Sequence, residues 1–228
     1  MNSLLTRRRV LAGLAAGVAV PAFAQSDRPV RFLRERRGIA IEIEPWLRSD
    51  PGARYADVIR VDCSTLSPMV ARPGDPGNSV ALADLGERAR VDIAYGGSCT
   101  AGKREDFDHY HEVLAWAAGR GLRVAPGVAL YLQFGTTAVR DYCIGRGYLD
   151  AFERVGAHIL QPSCGACANC GPGSSTESGQ VTVSAINRNF PGRSGPGQVW
   201  LASPPTVAAS AIAGRLTSFE ELRASAAS

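Results

Sequence analysis

The sequence predicts an α/β fold with three layers, α/β/α, in which the middle layer is a mainly parallel sheet. Short β-branched runs alternate with amphipathic stretches, which is the pattern of βαβ units. At 228 residues, 45% hydrophobic and 20% charged, the chain is long and apolar enough for a sizeable core. In the stretch 104–120 the apolar side chains recur at helical spacing, which places them on one face.

Each element is assigned from this periodicity and from the turn residues that bound it. Strands are predicted over residues 57–61, 90–95, 122–124, 129–133, 158–161, 180–186 and 198–202. Helices are predicted over residues 104–120, 136–145, 149–155, 205–213 and 218–224. Residues 25–53 form a predicted linker or partly ordered segment, and residues 54–228 the α/β domain.

Residues 1–24 have the pattern of an export signal. Basic residues at Arg7–Arg9 precede an apolar run of about 11 residues and the small-x-small site Ala22-Phe23-Ala24. That run is shorter than the ~20 residues needed to span a bilayer. The paired arginines predict the twin-arginine route and a periplasmic location. The alternatives are an ordinary secretion signal, or a cytoplasmic protein in which the leader is a chance apolar run.

The net charge of +4 does not indicate a nucleic-acid or lipid-surface partner. Three of the positive charges are Arg7–Arg9, and the rest of the chain has 22 basic against 21 acidic residues. Without a basic patch, neither DNA nor RNA nor an anionic membrane is an expected partner. No apolar run beyond the leader is long enough for a predicted membrane span.

Three segments with unusual composition follow predicted strands. The first includes Cys99, the second Cys164, Cys167 and Cys170, and the third the run Asn187–Arg193. Ligands of parallel α/β sheets bind beyond the carboxyl ends of the strands. We therefore expect the three segments to converge at one edge of the sheet.

The six cysteines allow more than one interpretation. The spacing C-x2-C-x2-C at residues 164–170 is typical of iron–sulfur ligands. Zinc is disfavoured because there is no second CxxC and no nearby histidine pair. Disulfides remain an alternative in an exported protein. Cys63 and Cys143 lie in apolar contexts and are predicted to be buried structural thiols.

Taken in order, three motifs resemble the aconitase and 3-isopropylmalate dehydratase large-subunit family. They are Gly97-Ser98-Cys99-Thr100, then Cys164-x-x-Cys167, then Asn187-Arg188-Asn189-Phe190-x-Gly192-Arg193. The resemblance extends over roughly residues 57–216. It implies an aconitase-like cluster domain and a lyase that adds or removes water.

The resemblance also implies a set of site residues. Cys99, Cys164 and Cys167 would hold a 4Fe-4S cluster whose fourth iron stays open to substrate as a Lewis acid. Arg188 and Arg193 would bind the carboxylates of a small substrate through bidentate forks. Asn187 would lie next to the cluster and donate a hydrogen bond to it or to the bound hydroxyl.

The chain also departs from the family pattern. Large subunits of the family have further upstream domains with catalytic histidine and aspartate residues, and a swivelling small domain supplies a serine and arginines. His109, His111 and His158 do not match the family's acid–base motif, so no catalytic residue is assigned in this chain. Partner subunits supplying the missing domains are therefore expected.

Three functions follow from these observations. The first is a domain or subunit of an iron–sulfur hydro-lyase acting on a hydroxy di- or tricarboxylate. The second is a non-enzymatic 4Fe-4S electron-transfer or binding protein, in which Cys170 is the fourth ligand. The third is an inactive truncated remnant whose cysteines pair as disulfides.

Overall fold

A computed structural model describes residues 28–42, 44–47, 50 and 52–226. The predicted export signal at residues 1–24 lies outside this part. The chain divides into two compact units, one up to Leu66 and the other from Ser67 onward. The first unit contains helix α1, Arg28–Arg37, and the single 3-10 turns Pro45–Leu47 and Cys63–Thr65.

The second unit is built on a seven-stranded sheet with the order β2-β1-β7-β6-β3-β4-β5. Its strands are β1 Met69–Ala71, β2 Ser79–Ala81, β3 Ile93–Gly97, β4 Ala129–Gln133, β5 His158–Leu160, β6 Val181–Ser184 and β7 Gln198–Ala202. The five strands from β7 to β5 are parallel, whereas β1 pairs antiparallel with β2 and β7.

Six helices accompany this sheet in the described residues. They are α2 Ser98–Ala101, α3 Arg104–Ala118, α4 Thr137–Gly145, α5 Tyr148–Val155, α6 Pro204–Ala213 and α7 Phe219–Ser225. On α3 the buried side chains Phe107, Tyr110, Val113, Leu114 and Ala117 form one face, as the helical spacing predicted. No helix in the described part of the chain is both long and apolar enough to cross a membrane.

The two faces of the sheet are covered differently. Alternate residues of a strand point to opposite faces, so Ala94 packs in the main core beneath α3, α5 and α6, whereas Tyr95 faces the other side. There a 3-10 turn, Ala166–Ala168, packs against Tyr95, Ile186 and Val199. The α/β class and the mainly parallel sheet with helical segments on both sides are thereby confirmed.

Two predicted strands are wrong. Residues 57–61 form no strand, and the side chains of Val58 and Ile59 are exposed. Residues 122–124 form none either: the N–H of Leu122 donates to the Ala117 carbonyl and that of Val124 to the Val155 carbonyl. These bonds to helix ends replace a strand ladder.

Candidate functional site

The order of the strands creates a crevice at the carboxyl edge of the sheet. From β3 the chain proceeds outward through β4 to β5, then returns to the other side of β3 to form β6 and β7. Ligands of open parallel sheets bind at such a reversal. The segments containing Cys99, Cys164 and Arg188 follow β3, β5 and β6, so their expected convergence on one edge is confirmed.

Cys99 lies on a tight turn that leaves β3. Gly97 has a positive φ of 99°, and a Cβ there would lie 1.9 Å from the Gln133 carbonyl oxygen, so only glycine is compatible with this position. The hydroxyl of Tyr110 accepts from the Gly97 N–H at 3.0 Å and donates to the Ala101 carbonyl at 3.3 Å. This buried tyrosine fixes the turn, and Cys99 is exposed on it.

The cysteine loop, residues 164–170, winds around one carbonyl oxygen. Gly165 accepts from the N–H groups of Ala168 at 2.9 Å and Cys170 at 3.2 Å. Asn169 has a left-handed φ of 53°, which lets the loop close. The loop leaves the thiols of Cys164 and Cys170 exposed and that of Cys167 half-buried.

Two buried polar side chains hold this loop against the sheet. Gln133 is 1% exposed, and its Nε2 donates to Ser163 Oγ at 2.8 Å, to the Ser163 carbonyl at 3.1 Å and to the Gln161 carbonyl at 3.2 Å. Its Oε1 accepts from the Tyr95 hydroxyl. A Cβ on Gly165 would lie 2.8 Å from both Gln133 Oε1 and the Tyr95 oxygen, so the loop backbone rests directly on the pair.

Sequence analysis missed both Gln133 and Tyr95. The available signal was the polar Gln133 at the end of the apolar strand β4, just where the carboxyl edge begins.

The hydroxyl of Tyr95 has a raised pKa. Its burial raises the pKa well above the ordinary tyrosine range, and the charges of Cys167, Cys99 and Cys170 raise it further. Cys167 packs against the same small cluster as Tyr95, and Tyr95 lies on the strand that leads to Cys99, so the two loops meet beside one buried phenol.

The thiols suit an iron–sulfur cluster in chemistry. All six cysteines are free, and sulfur is the donor that iron–sulfur clusters take. Within the described residues, however, no three histidine, cysteine, aspartate or glutamate side chains form a ready metal-binding group. The structure brings the predicted ligands to one edge without gathering three of them into such a group.

The third segment places its arginines at the same edge. Asn187 and Arg188 are exposed just after β6, while Arg193 is half-buried with its guanidinium carbon 5.7 Å from the centre of the Phe190 ring. The Arg193 Nε is buried and has no hydrogen-bond partner in the described part of the chain. A buried guanidinium donor without a partner is a plausible contact for a bound anion.

Asn189 has a structural role that sequence analysis did not assign. It is 2% exposed, and its Nδ2 donates to the Arg72 carbonyl at 2.8 Å and the Val199 carbonyl at 3.1 Å. Asn189 therefore ties the arginine segment to β7 and to the chain after β1. A pocket of about 420 Å³ lies beside it, bounded also by Pro73 and Pro191.

The two remaining cysteines differ in their surroundings. Cys143 is buried as predicted, and burial raises the pKa of its thiol to about 12. The prediction that Cys63 is buried is wrong: Cys63 is exposed in a 3-10 turn, because the strand expected just before it does not form.

The three histidines lie on two elements. His109 and His111 are on α3, and His158 begins β5, at the strand end opposite the carboxyl edge. The His158 ring stacks on Tyr131, which packs against the small cluster that contains Tyr95 and Ala166. No acid–base role is assigned to any of the three.

Comparison with known proteins identifies relatives. The sequence model of the Aconitase family (aconitate hydratase) matches residues 83–214. The 3-isopropylmalate dehydratase large subunit of Mycolicibacterium smegmatis is 39% identical over 171 residues, which are 74% of this chain and 39% of the relative. The homoaconitase large subunit of Thermus thermophilus is 37% identical over 220 residues, 96% of this chain and 48% of the relative. The chain thus spans about half or less of these relatives.

The matched region includes every residue of the candidate site, from Cys99 through the cysteine loop to Arg193. It is more than half of the chain, and it confirms the resemblance inferred from the three motifs. The chain belongs to the aconitase family.

Proposed function

We propose that this chain is the cluster-bearing part of an iron–sulfur hydro-lyase, which adds water to or removes it from a hydroxy di- or tricarboxylate. In this proposal Cys99, Cys164 and Cys167 hold a 4Fe-4S cluster. The observation that supports it most is that the cysteine loop after β5 packs against Tyr95 of β3, the strand that leads to Cys99, within the region matched by the family. Free, accessible thiols at that edge are the appropriate donors.

The chain's own side chains would orient the substrate. A bound cluster supplies a Lewis-acidic iron for the substrate hydroxyl and one carboxylate. Arg188 and Arg193 bind the remaining carboxylates, because a guanidinium offers two parallel donors to a carboxylate. The Phe190 ring beneath Arg193 limits the directions that this guanidinium can take. Asn187 donates to the substrate hydroxyl or the cluster.

Proton transfer requires groups from elsewhere. None of the three histidines matches the family's acid–base motif, and the chain spans about half or less of its relatives. We therefore include in the proposal a partner polypeptide, or a further segment, that supplies the acid–base and swivelling domains.

A second candidate function is electron transfer or cluster binding without catalysis. The observation favouring it is that Cys170 lies in the same turn as Cys167, since the N–H groups of Ala168 and Cys170 both donate to the Gly165 carbonyl. As a fourth protein ligand, Cys170 would close the iron site to substrate.

The test is the response of the reconstituted cluster to hydroxy acids. The full chain is loaded anaerobically, reduced, and examined by electron paramagnetic resonance with and without citrate or malate. We expect the spectrum to shift, and Arg193→Lys to require at least tenfold more ligand. Arg223→Lys is a matched control, since Arg223 lies 5.6 Å from the Phe219 ring, outside the site. A fully loaded protein whose spectrum does not change on addition of hydroxy acids would favour the second candidate, electron transfer or cluster binding without catalysis.

A further inference from the structure

Exposed apolar side chains are concentrated in one stretch of the chain. We define the N-terminal arm as residues 39–66. Seven of the eleven large hydrophobic side chains that are exposed in the described residues belong to it: Ile39, Ile41, Trp46, Tyr55, Val58, Ile59 and Leu66. In the stretch from Ser67 to Ala226, the exposed large hydrophobic side chains are Met69, Ile144 and Phe190. Concentrations of exposed apolar side chains are typical of surfaces that bind another molecule.

The arm also has a strand-forming sequence without a strand. Val58, Ile59 and Val61 are β-branched, which favours extended pairing, yet residues 57–61 form no strand. The N–H of Val58 donates to the adjacent Asp57 carboxylate at 2.7 Å rather than to a neighbouring strand. A segment of this kind can add to a sheet edge of a partner through its main chain.

The comparisons indicate what that partner is. The match to the Thermus thermophilus homoaconitase large subunit covers 96% of this chain and therefore includes the arm, but it covers only 48% of the relative. The arm is thus a segment of the family's large subunit and not an unrelated extension. The rest of that relative has no counterpart in the match to this chain.

We infer that the N-terminal arm docks on the polypeptide that carries the portion of the large subunit this chain does not span. The inference rests on the proposed function, because both require that portion. Trp46, 77% exposed, and Tyr55 are the expected anchors, since large aromatic side chains dominate interface energies. Val58 and Ile59 bury their side chains as residues 57–61 become a strand.

Co-purification tests the inference. The full chain is co-expressed with a tagged probe: the part of the Thermus thermophilus large subunit that this chain does not match. The relative's own matching half serves as the positive control, because its capture shows that the probe is folded. We expect the tagged probe to capture the full chain. In the complex, the backbone amides of residues 54–66 should exchange with solvent more slowly than in the chain alone.

Two variants locate the surface. Ile59→Asp, at a side chain 51% exposed, should weaken capture at least tenfold, whereas Ile144→Asp, at one 55% exposed on α4, should leave it unchanged. Capture of the positive control but not of this chain would overturn the inference, as would equal capture of both variants. A dimer of the chain alone that Ile59→Asp dissociates would also overturn it, by assigning the arm to a second copy. Iron content, measured separately, shows whether the cluster proposal fails independently.

Discussion

Gln133 Nε2 donates a 2.8 Å hydrogen bond to Ser163 Oγ and thereby joins the end of β4 to the residue immediately before Cys164. The Gln133 side chain is almost completely buried and also bonds two loop carbonyls and the Tyr95 hydroxyl. The cysteine loop is therefore held by side chains on the adjacent strands β3 and β4.

Removing that anchor should loosen the loop. In Gln133→Leu the carbonyls of Gln161 and Ser163 lose a donor, at a cost of about 1–3 kcal/mol. We expect iodoacetamide to modify Cys164 and Cys167 several-fold faster in the cluster-free variant, and reconstituted iron to fall. Gln180→Leu is the control, because Gln180 organises the separate turn at Thr176 and Glu177. Equal alkylation rates in Gln133→Leu and wild type would contradict this role.

Asn187 and Asn189 lie two residues apart, but their substitution should affect different properties of the protein. Asn189→Ala removes donors to the Arg72 and Val199 carbonyls and should lower the free energy of unfolding by ~2 kcal/mol. Asn187→Ala, at an exposed position, should leave unfolding unchanged and weaken only the hydroxy-acid response. Urea denaturation measures the first effect. A loss of stability in Asn187→Ala with none in Asn189→Ala would reverse the assignment.

His111 should make the fold sensitive to acid. Its burial, together with the charge of Arg146, lowers the pKa of its ring, which stacks on Tyr148 at 3.9 Å. The unfolded chain, with a histidine pKa of about 6.5, binds the proton more tightly. The contribution of His111 to stability is thus present above that value and decreases below it. Urea midpoints at pH 7.5 and 5.5 should differ less in His111→Gln; an unchanged pH dependence would exclude the effect.

We propose that residues 1–24 direct export to the periplasm by the twin-arginine route. A reporter fused to residues 1–30 should be exported, and replacing Arg7, Arg8 and Arg9 together by lysine should abolish export. The lysines preserve charge, so the experiment tests recognition of the guanidinium groups. Undiminished export of the lysine variant would leave only the general secretory route.

The sequence predicted the parallel half of the fold well because its signals are local. β4 and β7 coincide with the predicted strands 129–133 and 198–202, and α3 begins at Arg104 as predicted. The antiparallel strands β1 and β2 were missed, since each has three residues and depends on pairing with β7 rather than on its own periodicity. Residues 57–61 show the converse, since their β-branched pattern predicted a strand that does not form.

The sequence predicted which loops form the candidate site, but not which side chains hold those loops in place. Cys99 and Cys164 are recognisable from motif spacing, whereas the dependence of their loops on Tyr110, Gln133 and Tyr95 arises from tertiary packing. Asn189 could not be distinguished from Asn187 by type or motif. Only burial separates the two, since the buried amide bonds two backbone carbonyls while its neighbour faces solvent.

The most direct test of the central claim compares reconstituted iron in wild type, four variants of the cysteines at the site and one control variant. With an open iron, wild type and Cys170→Ser should each hold about four irons per chain, because Cys170 is not a ligand. Cys99→Ser, Cys164→Ser and Cys167→Ser should each lose the cluster, while Cys143→Ser, at a buried thiol, controls for non-specific loss. Loss of iron in Cys170→Ser, or its retention in Cys99→Ser, would contradict a cluster held by Cys99, Cys164 and Cys167.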